Sequence, residues 1–252
     1  MTPAARVLIL GGTSEGAAVA RAVAASGWAL PILSLAGLTE AAPVENVVMR
    51  SGVFGGPEGL AVYLHATSIA AVIDATHPFA ARITEHTARA CASAGVPRFR
   101  LQRSSWELQP GDRWHAVESL AEGLDWLRPQ ARRIFATLGR RALPELGRAE
   151  GFTFVVRGIV RPPELPDNVI WISARPPFPV EDEVRLFKEH EVKALFVQAS
   201  GGEVTYAKIA AARALELPVA MLTRPQPPAG AAGSVPEALS WLARVLGRST
   251  CE

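Results

Sequence analysis

The residues of this chain best suited to chemistry are two glycine-rich turns, a histidine that follows an acid-ended apolar run, and a scatter of arginines. The first turn, Gly11-Gly12-Thr13-Ser14-Glu15-Gly16, follows the apolar run Arg6–Leu10 and leads into an amphipathic stretch. Glycines at a strand-to-helix turn let backbone approach a phosphate, and the helix N-terminus offers N–H groups and a positive dipole end. The spacing G-G-x-x-x-G is not the standard dinucleotide fingerprint, so two readings stand: a nucleotide cradle, or a tight turn that needs glycine for its own geometry. A P-loop is excluded, because Ala17 and Ala18 stand where Lys and Ser/Thr are required. After the second apolar run comes Leu33-Ser34-Leu35-Ala36-Gly37-Leu38-Thr39, and the first acid is Glu40. NAD-binding domains place a carboxylate near this point to hold the ribose. Its absence suits the 2′-phosphate of NADP, with Ser34 and Thr39 as donors and Arg50, before Ser51-Gly52, as the cation. An ordinary loop is the competing reading.

Asp74-Ala75-Thr76-His77-Pro78 ends the AAVID run, at the strand end where open α/β sheets bind ligands. His77 suits an acid/base role or a hydrogen bond to a ligand, while Asp74 and Thr76 equally suit simple capping. Arginines recur near run ends: Arg98, Arg100 and Arg103, then Arg140 and Arg141, Arg157, Arg161, Arg175 and Arg224. Such a set suits a ligand with several carboxylates or phosphates, or else solvated surface charge. The second turn, Gln198-Ala199-Ser200-Gly201-Gly202, lacks the first glycine of a serine-hydrolase elbow. Tyr63 and Tyr206 are followed four places on by Thr67 and Ala210, which removes a Tyr-x-x-x-Lys reductase. The histidines, at 65, 77, 86, 115 and 190, show no metal-ligand spacing, and no metal site is expected.

These groups must be positioned by a chain of 252 residues, 49% hydrophobic and 20% charged, long enough for one large domain or two small ones and too apolar to be disordered. The net charge of +2 argues against a nucleic-acid binder. Only 3 of the 26 basic residues, Lys188, Lys193 and Lys208, are lysines, and arginine grips carboxylates bidentately where lysine does not. Cys91 and Cys251 build no disulfide framework, and a reducing cytoplasm is expected. The N-terminal apolar run is too short for a signal peptide, and no membrane span is expected. Short apolar runs alternate with amphipathic stretches, including helices expected over 15–26, 57–65, 78–94, 118–128, 140–146, 180–190, 204–215 and 236–246. Such alternation predicts parallel sheets covered by helices on both faces. Residues 102–115 break the rhythm and mark a join between two α/β units, expected at 1–104 and 105–252.

Together GGTSE, SLAG, SGVFGGPEGLAVYL, DATHPFA, RFRLQRSSW, ARPPFPVEDEVRLF and SGGEVTYAKIAAARALELPVAMLTRP resemble, in order and over most of the chain, the precorrin-6A reductases of cobalamin biosynthesis. The resemblance implies two Rossmann-like parallel-sheet domains, the first for NADPH and the second for substrate, with the active site in the cleft between them. It implies NADPH-dependent reduction of a cobalt-free or cobalt-bearing tetrapyrrole. Gly11, Gly12, Thr13, Ser14, Glu15, Ser34, Gly37, Arg50, Gly52 and Thr76 are then expected around the cofactor. Arg98, Arg100, Arg161, Arg175, Gly201 and Lys208 are expected on substrate carboxylates, and His77 and Ser200 at the reacting positions. The proton can come from His77, solvent or the substrate's own carboxylate. The family often has a basic residue where this chain has Leu38, which shifts 2′-phosphate recognition to Ser34 and Arg50, and Lys-Asn where it has Gln198-Ala199. A monomer is the working expectation, with no nucleic-acid or membrane partner. Two other classes fit the glycine turn, a non-catalytic NADPH sensor and a transferase using a nucleotide sugar.

Overall fold

The computed structural model describes residues 5–36, 44–229 and 231–248. In chain order these form β1 (Ala5–Leu10), α1 (Ser14–Ser26), β2 (Ala29–Leu35), β3 (Val48–Ser51), α2 (Gly56–Ala66), β4 (Ile69–Asp74), α3 (Ala81–Ala94) and β5 (Arg98–Leu101). There follow β6 (Trp114–Val117), α4 (Leu120–Leu127), β7 (Arg133–Thr137), α5 (Leu143–Gly147), β8 (Thr153–Gly158), β9 (Val169–Ser173), α6 (Val180–Glu189), β10 (Ala194–Gln198), α7 (Ala207–Ala214), β11 (Val219–Leu222), β12 (Ala231–Gly233) and α8 (Val235–Val245).

The first unit joins Met1–Arg103 with Pro225–Glu252. Its parallel sheet runs β12-β5-β4-β1-β2-β3. Period-two alternation makes each central strand apolar on both faces. Val7 and Ile9 of β1 pack under α1 and α8 with Val19, Val23 and Leu242, while Leu8 and Leu10 pack on the opposite face with Leu60, Leu64 and Cys91 of α2 and α3. The order reverses at β1, whose neighbours are β4 and β2, so a crevice opens at the C-terminal ends of β1 and β4. Thr13 caps α1 through Oγ1, which accepts from the Gly16 N–H at 3.1 Å, and Gly27 ends the helix in the left-handed conformation.

The second unit is Ser104–Arg224, with the parallel order β6-β11-β10-β7-β8-β9. Ile134 and Ala136 of β7 face the core shared with α4 and α5, and Phe135 faces Phe187 and Ile209 of α6 and α7. Its switch point lies between β7 and β10, where Gln198 Nε2 donates to the Leu138 carbonyl at 3.0 Å.

Three expectations are corrected. The tail does not belong to the second unit: β12 pairs with β5, and Ala238 and Leu242 of α8 are fully buried against the first sheet. A loop enriched in Pro and Gly concealed a three-residue edge strand with no β-branched residue. The helix after β4 starts at Ala81, not Pro78, because the Ala80 N–H donates to the His77 carbonyl at 2.8 Å and closes a separate turn. The helix expected from 204 starts at Ala207, because Tyr206 N–H is taken by the Glu203 carbonyl in a preceding turn.

Candidate active site

In the first unit, four loops emerge at the C-terminal edge beside the crevice. Gly11 N–H donates to the Ser34 carbonyl at 2.9 Å, and Ala75 N–H to the Leu10 carbonyl at 2.9 Å, which carry the pairing of β1 with β2 and β4 up to the base of the glycine turn. Gly12 has φ of 105° and no atom within 4 Å of where a Cβ would stand, so its backbone faces open space. Thr13 is already committed: besides capping, its hydroxyl donates to the Ala75 carbonyl at 2.7 Å. The Glu15 carboxylate is held by Arg103 at 2.9 Å and by the Ser14 hydroxyl at 3.0 Å. Ser14 and Glu15 therefore offer a ligand their backbone N–H groups at the helix start. Arg103 also offsets the negative charge that would repel an anion there.

Register places Ser34 of β2 opposite Arg50 of β3. Arg50 donates to Ser34 Oγ at 3.2 Å, to the Gly52 carbonyl at 2.7 Å and to the Val53 carbonyl at 3.1 Å, and its guanidinium lies 3.7 Å from the Phe54 ring centroid. A cation is thus fixed at the end of β2 and β3, stacked and oriented. Gly52 forms the turn beside it. Gly37, with Leu38, Thr39 and Glu40, lies outside the described residues.

At the end of β4, Asp74 is fully buried. Its Oδ1 accepts from Thr76 N–H at 3.1 Å and Thr76 Oγ1 at 2.7 Å, and pairs with Arg100 Nη1 at 2.6 Å. Arg100, 5% exposed, also reaches Thr76 Oγ1 at 2.9 Å and the His77 carbonyl at 3.5 Å. Arg100, which register sets opposite Asp74, braces the 74–77 turn. Arg98 Nη2 donates to the Ala229 carbonyl at 2.9 Å, while its Nη1 is buried without a hydrogen-bond partner among the described residues. His77 is half-buried, and its Nδ1 accepts from Phe79 N–H at 3.3 Å. The neutral ring then carries its proton on Nε2. Below this loop, burial pushes the Cys91 thiol up to about 11, which makes it inert.

The second unit sorts its expected residues in the same way. Arg224 donates to the Ala199 carbonyl at 2.6 Å and to the Ser200 carbonyl at 3.0 Å, and a Cβ on Gly201 would meet its Nη2 at 2.1 Å and the Ser104 carbonyl at 2.2 Å. Gly201 is therefore required by packing. Ser200 is 6% exposed, with Oγ 3.4 Å from Thr205 Oγ1. Lys208 is 5% exposed, its Nζ donating to the Thr205 carbonyl at 2.5 Å and lying 4.9 Å from the Trp106 ring. Ser200, Gly201 and Lys208 all take part in shaping the 198–205 loop. Arg157 is tied to Glu183 by two hydrogen bonds, 2.6 and 3.1 Å. In contrast, Arg161 and Arg175 are exposed, and no hydrogen bond, ion pair or ring contact engages their guanidinium groups among the described residues. They sit on the loops after β8 and β9, at the C-terminal edge. Sequence reasoning missed the part played by Arg103, and it read Asp74 only as a cap. The alternating Arg98-Phe-Arg100 strand, set beside a strand ending in Asp, was the signal available for the Asp74–Arg100 pair.

The family model of the precorrin-6x reductases CbiJ/CobK matches residues 6–243. The chain belongs to that family. A precorrin-6A reductase of Rhodococcus erythropolis is 39% identical over 247 residues, covering 96% of this chain and 99% of the relative. A solved structure of a CobK precorrin-6A reductase superposes with a TM-score of 0.90 at 34% identity, covering 97% of this chain and 98% of that one. A cobalt-precorrin-6A reductase of Synechocystis sp. is 26% identical over 237 residues, covering 88% of this chain and 89% of the relative. As a CbiJ/CobK reductase the chain has the two parallel-sheet α/β units described above. Among the described residues, no group of three or more His, Cys, Asp or Glu side chains suits a metal ion, and no helix is long and apolar enough to cross a membrane.

Proposed function

We propose that the protein reduces precorrin-6A to its dihydro form with NADPH as the reductant. The observation that carries the choice of cofactor is the oriented Arg50, hydrogen-bonded to Ser34 at the ends of β3 and β2, in a crevice whose glycine turn leaves the Gly12 backbone open. These residues fit NADPH: the N–H groups at the start of α1 take the pyrophosphate, and Arg50 and Ser34 take the 2′-phosphate. No carboxylate stands at Ser34-Leu35-Ala36 to prefer a free ribose hydroxyl. When bound, NADPH supplies the hydride.

The chain's own task is to orient the reactants and give a proton access. Thr76, held by Asp74 and Arg100, sets the wall of the crevice next to the nicotinamide. His77 presents Nε2–H as a hydrogen-bond donor at the crevice, and the proton that completes reduction at the carbon next to the one that receives hydride is drawn from solvent admitted there. Arg161 and Arg175 pair with acetate and propionate arms of the substrate. The greater identity to a precorrin-6A reductase than to a cobalt-precorrin-6A reductase supports the cobalt-free macrocycle. The cytoplasm, where NADPH is kept reduced, is the proposed location, and a monomer the proposed state.

Fluorescence titration with NADPH and NADH tests the cofactor assignment. NADPH is expected to bind at least about tenfold more tightly, which is about 1.4 kcal/mol. Equal affinities would remove Arg50 and Ser34 from 2′-phosphate recognition.

A further inference from the structure

The second sheet ends in a feature that neither the cofactor nor the internal packing uses. Four arginines on adjacent C-terminal loops, Arg140 and Arg141 after β7, Arg161 after β8 and Arg175 after β9, are exposed, and their guanidinium groups engage nothing among the described residues. Elsewhere in this unit Arg157, Arg213 and Arg224 are each tied down by carboxylates or carbonyls. The middle loop also exposes two aliphatic side chains, Ile159 at 38% and Val160 at 52%. Strand order β7-β8-β9 therefore sets an apolar step between guanidinium groups on either side. Neighbouring strands lie about 5 Å apart, so the flanks stand about 10 Å apart at the strand ends.

We propose that this edge is a two-sided carboxylate subsite. Arg140 and Arg141 take acidic arms on one flank and Arg175 takes an arm on the other, while Ile159 and Val160 carry the apolar ring edge between them. A flat macrocycle with a charged periphery matches that alternation. An inorganic anion would leave the aliphatic pair without a role, and an apolar partner would leave four cations unpaired. The inference rests on the tetrapyrrole reading above and adds Arg140, Arg141, Ile159 and Val160 to it as specificity determinants.

The test uses the full chain and uroporphyrin, a tetrapyrrole with acetate and propionate arms on every ring, as a binding probe followed by fluorescence. The R140A/R141A variant is expected to bind uroporphyrin at least about tenfold more weakly and to raise the KM for precorrin-6A by a similar factor, with unchanged NADPH affinity. I159S/V160S is expected to weaken binding about threefold or more. The control is Arg148→Ala, which removes an exposed arginine lying after α5 on the return toward the start of β8, and it is expected to bind as wild type does. Wild-type affinity in folded R140A/R141A would overturn the subsite, as would an equal loss in Arg148→Ala, which would reduce the effect to overall charge. Failure of the reductase reading has a different signature, in which wild-type protein leaves precorrin-6A unreduced by NADPH whatever these variants do to uroporphyrin binding.

Discussion

Single residues divide by whether the fold has already used their polar atoms. Arg50 is fixed by two carbonyls, a hydroxyl and an aromatic face, yet it remains at the edge of the crevice, so its orientation is settled before a ligand arrives. Arg50→Ala is expected to weaken NADPH binding about 10- to 100-fold, roughly 1.5–3 kcal/mol for hydrogen bonds to a charged group, and to leave NADH affinity within about twofold. Isothermal titration with both nucleotides checks this, and parallel losses would mean that Arg50 only supports the turn. The sequence alone singled out Gly12, Ser34, Arg50 and His77 as candidates, because each stands at or just beyond the end of a readable apolar run. It could not separate Arg100 from Arg161. Both are arginines near strand ends, but one is buried against Asp74 and the other is exposed, with no partner among the described residues. That difference depends on a strand neighbour 26 residues away in the chain.

Among the elements, β4 and β5 carry the most consequential pairing, because it builds the 74–77 turn out of a buried ion pair. Asp74 Oδ2 is itself buried without a hydrogen-bond partner, so Asp74 depends on Arg100 for its charge balance. Arg100→Ala is expected to cost roughly 3–5 kcal/mol, since removing one partner of a buried pair strands the other. Arg161→Ala, at an exposed position, is expected to stay within about 0.5 kcal/mol. Urea denaturation of both variants compares them, and similar midpoints would contradict the assignment of Arg100 as a brace. Strands β1, β4, β7 and β10 were legible because buried parallel strands read as unbroken apolar runs. Strands β6 and β12 were not. Trp114–Val117 lies in a polar join, and Ala231–Gly233 has small residues whose pairing is set by β5 rather than by propensity.

For the whole molecule, two cores in one chain were legible from the interrupted rhythm near residues 102–115, but the path of the tail was not. The first unit is completed by β12 and α8, and Leu242 and Ala238 are fully buried in its core. The segment Ser104–Arg224 is continuous and has its own core, so it is expected to fold alone with a cooperative thermal transition. Residues 1–103 without the tail are expected to lack one, because the sheet edge at β5 and the face under α8 are left bare. Circular dichroism melts of the two fragments check this; a stable 1–103 would show that the tail is dispensable. Hydride transfer from NADPH to a tetrapyrrole is the central proposal. Its most direct test is to mix the purified protein with precorrin-6A and follow NADPH absorbance together with the mass of the macrocycle. The expected result is NADPH oxidation in equal amount to macrocycle reduced, with a gain of two hydrogens and a marked preference over NADH. An unchanged macrocycle with fresh NADPH present, or equal use of NADH, would contradict it.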